Sequence, residues 1–364
     1  MDDMAQALTK SSQKSRIDRL LAWYDVSART MPWRARHGQR SDPYHVWLSE
    51  IMLQQTTVAT VGPYFQKFLV AWPTVNELAS ADRDQVLAAW AGLGYYARAR
   101  NLHKCAGVIA AAGGAFPDRE DELRALPGIG PYTAAAIASI AFNRPVVPVD
   151  GNVERVVARL QAIEVALPEC KPELRRLAQR FVDQARPGDV AQALMDLGAT
   201  VCTPRKPKCG DCPLHAGCGA LKKGIADESP RRLATKARPV RRAVAFWLQR
   251  PDGAVFMRRR PDQGLLGGML EIPSTPWREE DWAADEVVGH APIDYHWQPQ
   301  AGGIGHTFTH FHLEVSVWHL EVAVWGAKFD GDLDGLWIQP QDFKDHAIPT
   351  LMRKIAAHAL SENS

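Results

Sequence analysis

The chain has 364 residues, more than one compact domain ordinarily contains, so two domains are expected. Hydrophobic residues make up 46% of it and charged residues 23%, a globular composition that argues against wholesale disorder. No apolar run approaches the roughly 18 residues of a membrane helix, and the polar N-terminus lacks the apolar core of a secretory signal. We therefore expect a cytoplasmic protein whose residues 1–14 form a mobile tail.

The net charge of +2 conceals a strong asymmetry along the chain. Residues 200–242 carry 11 Lys and Arg against 3 Asp and Glu, whereas residues 243–364 carry 9 against 17. A basic segment suits a polyanion such as DNA, because each neutralised phosphate releases counterions. A solvated linker has the same composition, so charge alone leaves both interpretations open.

Helical periodicity dominates residues 15–200, where apolar residues recur three and four positions apart and Gly or Pro marks most boundaries. The clearest predicted helices are RIDRLLAWYDVSA, YHVWLSEIMLQQT, DRDQVLAAWAGLG, EDELRAL, YTAAAIASIAF, GNVERVVARLQAI and ELRRLAQRFVDQA. The charged stretch 224–242 is interpreted as a basic linker. Beyond it, AVAFWLQ, AVFMRRR and FTHFHLEVSVWHLEVAVW are typical of strands, and IPTLMRKIAAHAL of a closing helix. The sequence therefore predicts an all-α domain over 15–223 and an α+β domain over 243–364.

A tight turn at LPGIGPYTAAAI, residues 126–137, joins two predicted helices. Gly128 and Gly130 permit backbone angles that other residues resist, and the helix that follows presents unpaired N–H groups. Such amides, together with the helix dipole, can bind a DNA phosphate without reading sequence. A plain connection between two helices is the alternative.

Four cysteines fall within 17 residues, in the spacing Cys202-x6-Cys209-x2-Cys212-x5-Cys218. Thiolates at this density indicate a metal site, which is either a tetrahedral zinc or an iron–sulfur cluster. Zinc ribbons usually carry two CxxC pairs, and this loop has one. Cys105 and Cys170 stand apart and are expected to behave as small apolar residues.

Two carboxylates are candidates for acid chemistry. Glu50 lies in YHVWLSEIMLQQT, opposite the most apolar face of the predicted helix, where a glutamate is ordinarily solvated. Asp150 precedes the helix in VVPVDGNVERVVARL and is placed to be its N-cap. A pair of carboxylates can also serve as acid and charge stabiliser when a glycosidic bond breaks through a cation-like transition state.

An ordered set of motifs resembles the adenine DNA glycosylases of the MutY family, within the helix-hairpin-helix superfamily that includes endonuclease III. These motifs are PWR at 32–34, WLSEIMLQQT at 47–56, GLGYYARARNLHK at 92–104, LPGIGPYTA at 126–134, VDGNVERV at 149–156 and the cysteine spacing. The similarity runs from about residue 15 to 218 and resumes at GLLGGMLEIPS and HTFTHFHL.

The resemblance implies a role for each matching residue. Glu50 is the general acid that protonates adenine, Asp150 stabilises the sugar cation or bonds to it transiently, and Asn152 holds Asp150. Tyr132 lies between the two carboxylates, and the four cysteines hold a 4Fe–4S cluster. Because a stacked base cannot be attacked, the enzyme extrudes it from the duplex. The residues implied around the extruded adenine are Trp33, Arg34, Leu53 and Gln192, and those implied to wedge into the duplex are Gln55 and Tyr95.

Tyr132 occupies the position just after the hairpin where bifunctional relatives carry a lysine. A lysine amine attacks the sugar to form a Schiff base, and a phenol cannot. The resemblance therefore implies an enzyme that removes a base and leaves the strand intact.

The C-terminal domain resembles the Nudix-like domain of the family, which recognises 8-oxoguanine opposite the adenine. GGMLEIP at 267–273 is similar to the strand before a Nudix box, but STPWREEDWAADEVV lacks the box, so pyrophosphate hydrolysis is not expected. The family's Phe-Ser-His loop corresponds to Phe308, Thr309 and His310, where threonine keeps the hydroxyl and adds a methyl.

We therefore expect a monomeric, nucleoid-associated glycosylase that acts on double-stranded DNA containing A:8-oxoguanine or A:G mispairs. The alternatives are a bifunctional pyrimidine-lesion glycosylase, a non-catalytic DNA-damage binding protein and a Nudix hydrolase. Tyr132 argues against the bifunctional glycosylase, and the presence of both Glu50 and Asp150 argues against the non-catalytic protein. The missing Nudix box argues against the hydrolase.

Overall fold

The computed structural model describes residues 2–35, 39–233, 237–322 and 334–361, with side chains from Gln13 onward. The chain divides into two compact units. The first contains residues up to Ser80 and those from Asn101 into the 224–242 segment; the second joins Ala81–Arg100 to the residues after that segment. No helix in these described ranges is both long enough and apolar enough to span a bilayer.

The chain before the first strand is helical. Its helices are α1 (Asp2–Ser27), α2 (Pro43–Leu53), α3 (Val58–Ala71), α4 (Val75–Ser80), α5 (Arg83–Ala89), α6 (Ala97–Ala111), α7 (Glu120–Arg124), α8 (Pro131–Phe142), α9 (Gly151–Gln161), α10 (Lys171–Ala178), α11 (Pro187–Thr200) and α12 (Gly219–Lys222). Short 3₁₀ turns cover Gln179–Phe181, Cys209–Asp211 and His215–Gly217. The predicted all-α first region is therefore confirmed.

The helical core forms around the amphipathic helix α9. Its Val153, Val156, Val157 and Leu160 are buried in one apolar cluster, to which α1 contributes Leu20. Helices α10, α11 and α12 pack on α9, and α8 packs on α11. Because Val153 is buried in this cluster, the core holds the first turn of α9, which the Asp150 side chain caps.

Helix α1 starts at Asp2, inside the stretch expected to be a mobile tail. The stretch is therefore helical in its backbone, and its mobility stays a prediction. Residues 4–8, Met-Ala-Gln-Ala-Leu, have high helix propensity. Elongating a helix is easier than starting one, so a helix anchored by buried Leu20 and Leu21 extends towards the N-terminus.

A mixed β-sheet organises the second unit. Its strands are β1 (Val240–Gln249), β2 (Val255–Arg259), β3 (Leu270–Glu271), β4 (Gln298–Pro299), β5 (Ile304–Thr307), β6 (His312–Glu321) and β7 (Leu336–Ile338). Within the described residues the order is β3-β2-β1-β6-β4, with β5 also paired to β6 and β7 to β2. β1 and β6 are parallel, from Val240 opposite His312 to Gln249 opposite Glu321, and the other pairs are antiparallel.

Both faces of β1 are buried. Ala243, Ala245 and Trp247 belong to a cluster that α14 (Thr350–Ser361) covers, whereas Val244 and Phe246 belong to a second cluster on the other face. This double burial explains the nearly continuous apolar run that indicated a strand. The short helix α13 (Ala284–Val288) and a 3₁₀ turn (Pro340–Asp345) complete the unit.

The predicted linker 224–242 is shorter in the structure. Leu233 donates from its backbone to the Leu167 carbonyl at 3.3 Å, and β1 already begins at Val240 because Val240 pairs with His312. Residues 234–236 of this linker, and residues 323–325 of the long predicted strand, lie outside the described residues.

Candidate active site

The hairpin between α7 and α8 depends on its first glycine. Gly128 has φ +75°, and a Cβ there would lie 2.7 Å from the Asn101 Cβ, so a side chain is excluded by both angle and space. Gly130 is the N-cap of α8, and Pro131 occupies the first turn. The turn therefore delivers Tyr132 into the interior at the start of α8.

Glu50 is a buried acid on α2, with 7% of its surface exposed. Burial, aided by the Asp150 carboxylate, raises its pKa to about 7, while a hydrogen bond from Tyr132 and the Arg34 charge oppose the rise. The expectation of a solvated face was wrong, because α8 packs against α2 and covers it. At neutral pH a large share of Glu50 is protonated, as a general acid requires.

Asp150 caps α9, as its sequence position predicted. One carboxylate oxygen accepts from the Asn152 and Val153 N–H groups at 2.9 and 2.8 Å, and the other accepts from the Asn152 side-chain amide at 2.8 Å. Burial raises the pKa of Asp150, and these three bonds oppose the rise because they favour the ionised form. These bonds fix the carboxylate in position at the start of α9.

A hydrogen-bond chain connects Asp150 to the cysteine loop. The Asn152 side-chain oxygen accepts from Arg155 at 2.8 Å, and the same guanidinium donates to the carbonyls of Gly198 at 2.6 Å and Cys202 at 2.7 Å. Arg155 is itself buried. The orientation of Asn152, and through it that of Asp150, therefore depends on the loop that begins at Cys202.

Arg34 is held by a buried aspartate that sequence analysis missed. Asp196 is fully buried and accepts from Arg34 at 2.6 and 2.7 Å and from Arg29 Nε at 2.6 Å. Burial favours protonation, but these cations outweigh it and lower the pKa of Asp196. Asp196 lies four residues after Gln192 on α11, and that helical spacing was the available signal.

The other residues expected around the adenine belong to the same unit. Trp33 is buried with its ring edge-on to Phe65 at 5.5 Å, and Leu53 is the last residue of α2. Gln192 donates to the Gly188 carbonyl of its own helix at 3.2 Å. Gln55, which is expected to wedge into the duplex, is exposed just beyond α2 and has φ +58°.

Tyr95 lies in the second unit, on a turn that also contains Gly92 and Gly94. Its φ is +48°, and its side chain is 49% exposed. Arg98 donates to the carbonyls of Leu93 and Gly94 at 3.0 and 3.2 Å. The same guanidinium lies over the Tyr95 ring, so the exposed ring packs against a side chain that is itself held in place.

The loop 308–310 is anchored by its first residue. Phe308 stacks on Trp277 at 5.5 Å and packs against Phe311, whereas Thr309 and His310 are exposed. The Thr309 hydroxyl hydrogen-bonds to the Tyr95 hydroxyl at 2.9 Å. In this arrangement the aromatic ring holds the loop, and the two polar side chains face outward.

The four clustered cysteines are free thiols, half-buried, in the loop after α11. Burial and the charges of Cys202, Cys218 and Cys209 together raise the pKa of Cys212 to about 11, although a backbone hydrogen bond opposes the rise. Among the residues with described positions, no three His, Cys, Asp or Glu side chains are arranged to hold a single metal ion.

Arg159, a second residue that sequence analysis missed, is buried against this loop. It donates to Cys202 Sγ at 3.3 Å and to the Thr203 carbonyl at 2.7 Å, and its backbone carbonyl lies 3.4 Å from Cys218 Sγ. A soft, four-thiolate donor set with a buried cation beside it fits an anionic iron–sulfur cluster.

Comparison with known families supports these assignments of fold. Residues 48–184 match the HhH-GPD superfamily of base excision DNA repair proteins, residues 202–218 the iron–sulfur binding domain of endonuclease III, and residues 244–358 the NUDIX domain. The cysteine loop is therefore an iron–sulfur binding domain, consistent with a 4Fe–4S cluster. The fold is a helical HhH-GPD domain followed by a Nudix-like domain with a mixed sheet, as predicted.

Solved structures show the same helical fold. A thermostable thymine-DNA glycosylase is 29% identical, has a TM-score of 0.53 and covers 59% of this chain and 99% of its own. Endonuclease III in a non-covalent DNA complex is 22% identical with a TM-score of 0.50, a similarity of fold alone.

Similarity to curated proteins extends over both domains. The adenine DNA glycosylase of Homo sapiens is 35% identical over 92% of this chain and 72% of its own length. That of Buchnera aphidicola subsp. Acyrthosiphon pisum is 30% identical over 92% of this chain and 95% of its own. Since identity of 30% or more spans most of both chains, this chain belongs to the adenine DNA glycosylase family of base excision repair enzymes.

Proposed function

We propose that this protein is a monofunctional DNA glycosylase that excises adenine mispaired with 8-oxoguanine or guanine. One observation carries the proposal: a buried Glu50 with a pKa of about 7 lies beside Tyr132 and a capped Asp150. A carboxyl that is about half protonated at neutral pH, beside a carboxylate whose ionised form three hydrogen bonds favour, is the pair that N-glycosidic cleavage needs.

Neutral adenine is a poor leaving group, so the reaction begins with its protonation. The Glu50 carboxyl gives its proton to a ring nitrogen of the extruded base, and the bond between that base and C1′ of the sugar breaks. The Asp150 carboxylate stabilises the positive charge left on the sugar. A water molecule then adds to C1′ and returns a proton to Glu50, which restores the acid.

Tyr132 assigns the reaction to the monofunctional class. Burial raises the pKa of its phenol well above the usual range, and the neighbouring Glu50 and Asp150 carboxylates raise it further, so the hydroxyl stays neutral. It donates a hydrogen bond to Glu50 and cannot form an imine with the sugar. The product is an abasic site in an unbroken strand.

Duplex DNA is the partner that the rest of the chain suits. The Gly128–Gly130 hairpin presents the first turn of α8 to a phosphate, and residues 200–242 supply excess positive charge. We propose that Trp33, Arg34, Leu53 and Gln192 surround the extruded adenine, while Gln55 and Tyr95 enter the duplex. The enzyme acts as a monomer on the chromosome, in the cytoplasm, with no role for a membrane.

The four cysteines, Cys202, Cys209, Cys212 and Cys218, hold the 4Fe–4S cluster in this proposal. When bound, the cluster would be held by these thiolates and would fix the loop. This chain's own contribution is Arg155, which transmits the loop position to Asn152, and Arg159, which places a positive charge beside Cys202.

The lesion reader is the exposed pair Thr309 and His310, presented by the stacked Phe308. Their hydroxyl and imidazole groups can hydrogen-bond to the edge of 8-oxoguanine. Phe308 anchors the loop in this assignment, through its contacts with Trp277 and Phe311.

Incubation with duplexes that carry adenine opposite 8-oxoguanine, guanine or thymine tests the proposal. We expect alkali-labile abasic sites with the first two and little reaction with thymine. Strand cleavage without alkali would instead support the bifunctional alternative. Binding to all three duplexes without base release would support the non-catalytic alternative.

A further inference from the structure

Two reciprocal ion pairs join the start of α5 to the β2–β3 hairpin within the second unit. Arg83 contacts both carboxylate oxygens of Asp262, at 2.5 and 3.3 Å, and Arg259 contacts both oxygens of Asp84, at 2.7 and 3.1 Å. Adjacent residues of opposite charge in α5 therefore face an aspartate and an arginine that lie three positions apart in the hairpin. If α5 moved by one residue so that Arg83 took the place of Asp84, Arg83 would face Arg259. The pairs therefore specify one register between α5 and the hairpin.

The hairpin is shaped to admit these arginines. Gly268 has φ +72°, and a Cβ there would lie 2.5 Å from Arg83 Nη2 and 2.8 Å from Asp262 Oδ1. Arg259 donates to the Gly268 carbonyl at 2.8 Å, and Arg100 donates to the Gly267 carbonyl. The backbone of residues 267–268 therefore packs directly against the ion pairs and leaves no room for a side chain at Gly268. We call Arg83, Asp84, Arg259 and Asp262 the crossed pairs.

The segment that the crossed pairs fix also carries Tyr95. Arg83 and Arg100 lie near its two ends, and the Tyr95 turn is tied down between them by Arg98. At the far side of the same unit, the Tyr95 hydroxyl meets the Thr309 hydroxyl at 2.9 Å. That contact joins two exposed side chains and has no buried surroundings to hold it.

We infer that the crossed pairs are positioning residues for lesion discrimination, because they hold Tyr95 in hydrogen-bond register with Thr309. This inference rests on the proposed function. The crossed pairs touch neither the catalytic carboxylates nor the residues proposed to contact adenine. Exposed ion pairs add little to global stability, so their effect falls on register.

Charge reversal tests the inference in the full-length, cluster-containing protein. The variants are Asp262→Arg, Arg83→Asp and the double variant, with Asp281→Arg as a matched control. Asp281 is an exposed carboxylate that pairs with Arg242 at 3.1 Å in the same unit, away from the crossed pairs. Single-turnover excision of adenine is measured opposite 8-oxoguanine and opposite guanine, with thermal unfolding as a check on folding.

Each single reversal is expected to lower the rate opposite 8-oxoguanine about tenfold, the value of one good base contact, while the rate opposite guanine changes little. The double reversal restores opposite charges and most of the preference, and Asp281→Arg leaves the preference intact. Should a single reversal fail to fold, Asp262→Asn and Arg83→Gln are measured in its place and are expected to lose a smaller part of the preference.

Unchanged preference in the folded single variants would overturn the inference, as would loss of preference that the double reversal does not restore. A wild-type protein that releases no adenine opposite either base would instead overturn the proposed function, so the two failures are distinguishable.

Discussion

Replacing Glu50 by glutamine separates the catalytic use of this residue from its cost to stability. Glutamine keeps the shape and burial but has no acidic proton. If its pKa stayed near 4.5, only about 0.3% of Glu50 would be protonated at pH 7, whereas a pKa of about 7 gives roughly half. Burial therefore increases the available acid by about two orders of magnitude. We expect Glu50→Gln to lower excision by on the order of 10²–10⁴ while lesion binding persists.

The same raised pKa predicts a change in stability. A carboxyl whose pKa is higher in the folded protein than in the unfolded chain destabilises the fold at every pH at which the unfolded chain is ionised. The free energy of unfolding of the wild type therefore falls as pH rises from about 4.5 to about 7, and the contribution of Glu50 to it is constant above that range. Glutamine does not titrate, so Glu50→Gln should gain on the order of 2–3 kcal/mol at pH 8 and much less at pH 5.

The assay is single-turnover excision combined with denaturant unfolding at pH 5 and pH 8. Glu154→Gln is the matched control, since Glu154 is also buried in the first unit but pairs with Lys171 at 3.1 Å. It should retain excision and gain no stability. Near-normal excision by Glu50→Gln, or equal stability changes at the two pH values, would refute the assignment of Glu50 as a buried acid.

The general form of the site could be predicted because its motifs are local in sequence. The spacing of the four cysteines, the glycines of the 126–131 turn and the position of Asp150 before a helix each depend on neighbouring residues. In each case a backbone requirement, a cap or a metal donor set selects the residue type. The structure places Asp150 as a cap and Gly128 at positive φ for these reasons.

The burial of Glu50 could not be predicted, because it depends on a partner helix. A helical wheel describes one face of α2, whereas exposure depends on α8, which begins 78 residues after the end of α2. Small residues in α8, such as Ala134 and Ala135, are buried at that contact and allow close packing. The polar face of α2 thereby becomes interior, and its glutamate becomes an acid.

Long-range ion pairs could not be predicted from the sequence for a related reason. Asp196 was hidden because its partners Arg29 and Arg34 lie more than 160 residues earlier in the chain. Likewise, no local pattern connects Asp84 to Arg259, which are 175 positions apart. Charge totals found the basic segment but gave no information on which charges pair.

Three further changes test the remaining assignments. Cys209→Ser should lose iron and weaken duplex binding with a smaller salt dependence, as measured by metal analysis and binding at two salt concentrations; full iron content would contradict it. Thr309→Ala should lower the preference for 8-oxoguanine over guanine by less than about tenfold, and an unchanged ratio would transfer lesion reading to other residues. Asp196→Asn removes the charge that compensates Arg29 and Arg34 in a fully buried place, so it should cost about 3 kcal/mol in unfolding free energy. Because Arg34 also acts on Glu50 electrostatically, this variant should slow excision as well, whereas lost stability with unaltered excision would show that Arg34 needs no fixed position for catalysis.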